Sequence, residues 1–187
     1  MSDFFETTVV GLMERIMAEP AFGFGLDDAA AIFGNAGEES GGFRQLQEKA
    51  PLVPGSRGGF GIMQWTGPRR RAYESFCRRG RHDPADINSN YLFLKHELLT
   101  TERQAVAAVK GAATLDAKTQ AFMRSFLRPG IPHLPLRLEY ARRAKAAYLG
   151  VHNGETGKAS SSSSAETTPS EGIAGVANSA YDDKYRG

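Results

Sequence analysis

A single cysteine, Cys77, among 187 residues excludes an internal disulfide, so packing and hydrogen bonds must hold the fold. No apolar run approaches the ~18 residues that a membrane-crossing helix needs, which leaves bilayer insertion out of the expected functions. The histidines are few, and His82, His96, His133 and His152 stand at no metal-ligand spacing, so neither a metal nor another cofactor is expected. The opening MSDFFETTVV carries no basic segment ahead of an apolar stretch, so no secretory signal is expected. A target outside the cytoplasm would then need another route of delivery.

What is present is ordinary for a globular protein: 41% apolar and 24% charged residues. The length suits one domain with a tail. Residues 1–150 hold 20 Lys and Arg against 16 Asp and Glu, whereas 151–187 hold 3 against 5. A mildly basic domain suits an anionic partner such as a cell-wall polymer, and equally suits a solvated, arginine-rich surface. From Val151 onward, VHNGETGKASSSSSAETTPSEG has almost no large apolar side chain and cannot bury enough surface to fold. The domain is therefore assigned to 1–150 and a Ser-rich flexible tail to 151–187. The final IAGVANSAYDDKYRG reads as free tail, or as a short segment docking on a partner.

Before Gly150 the apolar spacing is helical. Phe5, Val9, Leu12, Met13, Ile16 and Met17 share one face of a helix capped by Asp3. A second helix is expected from Asp27 or Asp28 to about Ser40. FGIMQW, 60–65, reads as a short extended piece, and Pro68 opens a third helix that places Cys77 in the core. Ile87 to Leu99, 103–110 and 115–127 follow, and a last helix runs from about Pro135 to Tyr148 with Gly150 as its C-cap. The expected fold is mainly α, with one small β-hairpin beside the 27–40 helix.

The stretch GNAGEESGGF places two carboxylates at a helix C-terminus, where the helix dipole disfavours negative charge. Glu39 lies three and seven residues from Ala36 and Ile32, on the apolar face, whereas Glu38 follows Gly34 and Asn35 on the polar side. A carboxyl at the core edge should hold its proton to higher pH, as a general acid requires.

GNAGEESGGF followed by GGFGIMQWTGPRRRAYESF resembles the phage tail lysozyme family, within the wider lysozyme-like group. That resemblance rests on Gly34-Asn35 with Glu39-Ser40, on Gly59-Phe60-Gly61 with Gln64-Trp65-Thr66, and on Arg128-Pro129, and it spans about 5–149. It implies a muramidase acting on peptidoglycan, with Glu39 as catalytic acid. Members usually carry Glu before the Arg-Pro pair, and here that position is Leu127. If that glutamate only packs or orients, activity survives its loss; if it takes part in the chemistry, this chain is slow or inactive.

Hydrolysis with inversion needs a second carboxylate, and Glu48 is the one available between Glu39 and Trp65. Without it, Gln64 or Thr66 holds the water, or the substrate's own 6-hydroxyl attacks as in a lytic transglycosylase. Ser40, Gln64, Trp65 and Thr66 are the candidate glycan contacts, although the alternation in FGIMQW sets Trp65 beside Met63 and equally suits a core residue. Arg69, with Arg70 and Arg71, is a candidate for the anionic peptide stems of the wall, or simply for a solvated helix face. The expected partners are peptidoglycan strands and, through 151–187, virion proteins, with no nucleic acid. The expected route is synthesis in the cytoplasm and delivery by a phage tail or holin-type release. The alternative is a glycan-binding or virion structural module without turnover.

Overall fold

The computed structural model describes residues 3–51, 53 and 55–159, with backbone alone for 154–159. Among these residues lie seven α-helices and one π turn. The first helix, α1 (Phe4–Met17), begins as expected at Asp3. The Asp3 carboxylate accepts the Phe4 N–H at 2.6 Å, and Glu6 reaches back to the Asp3 N–H at 3.3 Å. Its stripe of Phe5, Val9, Leu12, Met13 and Ile16 is buried.

The second helix, α2 (Leu26–Glu39), starts at Leu26, just ahead of the aspartates expected to begin it. Gly25 takes the cap position and its N–H donates to Asp28 at 2.8 Å, so the aspartate acts from inside the first turn. Every residue from Asp28 to Gly37 is buried. A helix enclosed on all sides belongs at the centre of a domain. Here α7 (Leu134–Ala159) lies along it. The two approach so closely that a Cβ on Gly34 would stand 2.5 Å from the Ala141 backbone. One on Gly37 would stand 2.6 Å from the Phe5 ring. These glycines are spacers between helices rather than turn residues.

α3 (Gly67–Gly80), α4 (Ile87–Leu99) and α5 (Arg103–Gly111) follow. Between α3 and α4 sits an aromatic cluster: the Trp65 ring lies 4.7 Å from Tyr73 and 5.0 Å from Phe93. Cys77 is buried beside it. α6 (Leu115–Phe122) does not run unbroken to 127 as the spacing suggested. It passes into a π turn over Met123–Leu127, closed by the Arg128 N–H on the Met123 carbonyl at 2.8 Å. Arg128 (φ 52°) and His133 (φ 43°) then adopt left-handed backbone on either side of the 129–132 loop.

Two expectations are corrected. No β-hairpin forms among the described residues; there are only isolated antiparallel bridges, Gln47 to Phe60 and Phe60 to Trp65. Phe60 and Trp65 exchange both backbone hydrogen bonds, at 3.0 and 2.9 Å, across a tight four-residue turn with Gly61 and Gln64 at positive φ. Ile62 and Met63, neighbours in sequence, are both buried, which a strand with one solvated face does not permit and a turn folded into the core does. The second correction concerns Gly150, which does not end α7; the helix continues to Ala159. His152 stacks on Tyr148 at 4.1 Å and reaches Glu14 of α1 at 3.4 Å, giving the additional turn something to rest on. The Ser-rich segment assigned as flexible tail lies, from residue 160 on, outside the described residues.

Candidate active site

The two carboxylates at the end of α2 have a shared answer to the helix dipole: Arg137, from the first turn of α7. Its Nη2 donates to Glu39 Oε1 at 2.7 Å and lies 2.9 Å from Glu38 Oε2. The guanidinium is almost wholly buried, 2% exposed, and burying a cation requires that its donors be satisfied. Nε donates to the Pro132 carbonyl at 2.7 Å and Nη1 to Asn35 Oδ1 at 3.3 Å. Asn35 is buried in turn, and its amide donates to the carbonyls of Ala31 and Thr119 at 2.9 and 3.0 Å. One polar chain thus runs from α6 through α2 to α7 and fixes where Glu39 points.

Burial raises the Glu39 pKa above the ordinary carboxyl range. The Arg137 charge and hydrogen bond pull the other way without cancelling it, and the negative charge of Glu38 adds to the rise. Glu38, placed by the helix face on the polar side, is largely covered. His133 Nδ1 lies 2.9 Å from Glu38 Oε1, so the second glutamate is held by His133 and Arg137 together. What the arrangement can do chemically is deliver a proton from Glu39 beside a fixed positive charge.

The other candidates, Thr66 apart, are dispersed into structural roles. Ser40 is fully buried; its Oγ donates to the Ala36 carbonyl at 2.6 Å and accepts the Phe43 N–H at 3.1 Å, closing α2. Gln64 spends its amide group on the carbonyls of Gln45, Leu46 and Gly61, at 2.9 to 3.1 Å. Trp65 is 1% exposed and offers no ring face to a sugar; its Nε1 donates to Glu97 at 2.7 Å. Arg69 grips the same Glu97 through two bonds of 2.8 Å and donates to the Phe126 carbonyl at 3.0 Å, so it is not free for an anionic stem. Arg70 is similarly taken up by Glu74 and the 57–58 carbonyls. Thr66 is exposed at the start of α3. Glu48 accepts the Gly59 N–H at 2.7 Å through Oε2, which anchors the 48–59 loop on the Phe60 turn.

The residues that the sequence reading missed are Asn35 in its orienting role, His133, Arg137 and the buried acids Glu97 and Glu102. Asn35 stands four residues before Glu39 and shares its face, a signal that was available. Arg137 is 98 residues away from Glu39, and nothing local marks it among the 23 Lys and Arg of the chain. Leu127 ends the π turn packed against the core. The neighbouring Arg128 is already committed to Glu102 through two bonds of 2.9 and 3.0 Å.

A family model described as Phage tail lysozyme matches residues 11–148. No curated protein and no solved structure matches the chain.

Proposed function

The chain belongs to the phage tail lysozyme family, and on that footing we propose that it is a glycosidase cutting the β-1,4 bond between N-acetylmuramic acid and N-acetylglucosamine in peptidoglycan. The observation that carries the reading is the Glu39 carboxyl, held protonated to higher pH than usual by burial at a helix C-terminus and aimed by Arg137. Glu39 gives its proton to the leaving oxygen as positive charge grows on the sugar ring. When that proton has left, Arg137 stabilises the new carboxylate, so proton delivery costs less in the transition state than burial alone would impose. Cleavage by water needs an activating group, for which Glu48 is the carboxylate the sequence offers although it already accepts the Gly59 N–H; cleavage without it makes the 6-hydroxyl of the muramic acid the nucleophile. Delivery by a phage tail or by release at lysis belongs to the same proposal.

Purified cell walls test it. Clearing with new reducing ends supports a hydrolase, and clearing with 1,6-anhydro ends a lytic transglycosylase. Loss of clearing in Glu39→Gln with the melting transition retained assigns the acid. A second reading, a glycan-binding or virion module without turnover, is favoured by one specific observation: Leu127, where the family resemblance implies an acid, is packed against the core. Wall binding without any clearing decides for it.

A further inference from the structure

A groove of about 460 Å³ opens beside the π turn, within the ~300–1,000 Å³ range of small-ligand sites. Met123, Pro132 and Leu134 give it apolar walls, and Gln120, Arg124 and Arg128 line it from the α6 side. The i+5 bond of the π turn widens the helix there, setting Arg124 and Arg128 along the same groove. Arg128 is neutralised by Glu102, but Arg124 is exposed and has no ion pair among the described residues. The groove therefore combines apolar walls with one uncompensated positive charge.

Its position relative to Glu39 narrows the occupant. The Pro132 carbonyl, at the groove, accepts from Arg137 Nε, and the same guanidinium donates to Glu39. The next residue, His133, is strained into left-handed backbone and reaches Glu38. Groove and acid are thus separated by a single arginine side chain. A group that branches from a sugar lying at Glu39 is an occupant that this proximity suits.

We propose that this groove binds the peptide stem of peptidoglycan, with Arg124 pairing a stem carboxylate and the Met123, Pro132 and Leu134 walls taking its alanine methyl groups. The choice of ligand rests on the muramidase reading above. The stem branches from the muramic acid, is short, and carries several carboxylates between small apolar side chains, so its charge and its surface match the groove. The role expected of Arg69 and Arg70, both taken up within the fold, passes to Arg124, which has no ion pair among the described residues.

The test uses the full chain carrying Glu39→Gln, so that no substrate is consumed, and the free stem tetrapeptide as probe. Calorimetry should detect binding that weakens about tenfold, about 1.4 kcal/mol, when Arg124→Gln is added and that weakens with salt. No binding, or equal binding by both proteins, overturns the proposal; a melting curve confirms that Arg124→Gln is folded. Fragment release, followed by mass analysis, compares intact walls with the soluble glycan strands left when an amidase has removed the stems. The chain with its native Glu39 and Arg124 should cut stripped glycan several-fold more slowly, and Arg124→Gln should lose rate only on intact walls. Equal rates on both substrates overturn the stem site and leave the muramidase standing. Stem binding with neither substrate cut overturns the muramidase and leaves the stem site.

Discussion

Replacing Gly34 with alanine would place a Cβ 2.5 Å from the Cα and the backbone nitrogen of Ala141 and 2.6 Å from its Cβ, where ordinary contact begins near 3.4 Å. On an isolated helix the change would help, since alanine is better than glycine by about 1 kcal/mol. Here the obstacle is the backbone of α7, which no rotamer change relieves, so one helix has to move away from the other. Overpacking of this kind costs about 1–3 kcal/mol. A clash with backbone belongs at or above the upper end, leaving a net loss of about 2 kcal/mol, or a melting temperature lower by about 4–8 °C for a chain of this length. The displacement also acts on the site, because Arg137 precedes Ala141 by one turn and would move off Glu39. Clearing measured well below the melting point should therefore fall by more than the folded fraction does. Gly11→Ala is the internal control: its Cβ meets nothing within 4 Å, so α1 should gain stability by up to about 1 kcal/mol with no change in clearing. A Gly34→Ala protein that melts at or above the native temperature, beside that control, refutes the close contact of α2 and α7 and the account of how Arg137 is placed.

Further outcomes concern charge. Because Glu39 binds its proton more tightly folded than unfolded, it favours the folded state below the ordinary carboxyl value of 4.5, and that contribution is lost as pH rises through its raised value. The stability of the native chain relative to Glu39→Gln, followed by denaturant titration, should fall as pH rises across that window; a constant difference would show that Glu39 is not perturbed. Glu38→Gln should leave clearing present but move its Glu39-dependent limb to lower pH, since the Glu38 charge helps raise Glu39; an unmoved pH profile contradicts the coupling. Arg69→Ala should cost about 3–5 kcal/mol, because Glu97 is 4% exposed and would lose its buried ion pair, and Glu97→Gln on that background should restore part of it. Leu127→Glu should lower the melting temperature without raising clearing, because Leu127 packs on the core and Arg128 is already held by Glu102; faster clearing would mean that the missing acid limits the reaction.

The parts of this molecule that were legible in sequence are those whose cause is local. Asp3 caps α1 because its carboxylate and that of Glu6 lie within one turn of the N–H groups they satisfy, and the stripe from Phe5 to Ile16 is buried because helical spacing alone gathers it. The hairpin failed for an equally physical reason. Apolar and polar residues alternate over FGIMQW only if the chain is extended, and with Gly61 at φ 83° and Gln64 at φ 47° it is not. A Cβ on Gly61 would meet both the Trp65 ring and Asn90 Oδ1 at 2.5 Å, so the turn is set by a partner in α4 that no local window contains.

The site divides along the same line. The half-buried position of Glu39 was legible because a helix face is a local property, and that of Glu38 was not because its environment is not local: His133 and Arg137 come from the far end of the chain and convert the polar side of α2 into a covered one. The choice between functional and structural roles at Trp65, Gln64 and Arg69 turned on Glu97, a buried acid whose position in α4 gives no sign that it will receive both an indole N–H and a guanidinium. Sequence could count carboxylates near the motif, but it could not count the donors already spent on them. That distinction decides function here, since a side chain whose hydrogen bonds are complete within the fold has little left with which to hold a ligand. Glu39 has one such partner, opposed by burial that keeps its proton available, and Arg124 has none among the described residues. Those two side chains are the ones to which the proposed chemistry and the proposed recognition are assigned.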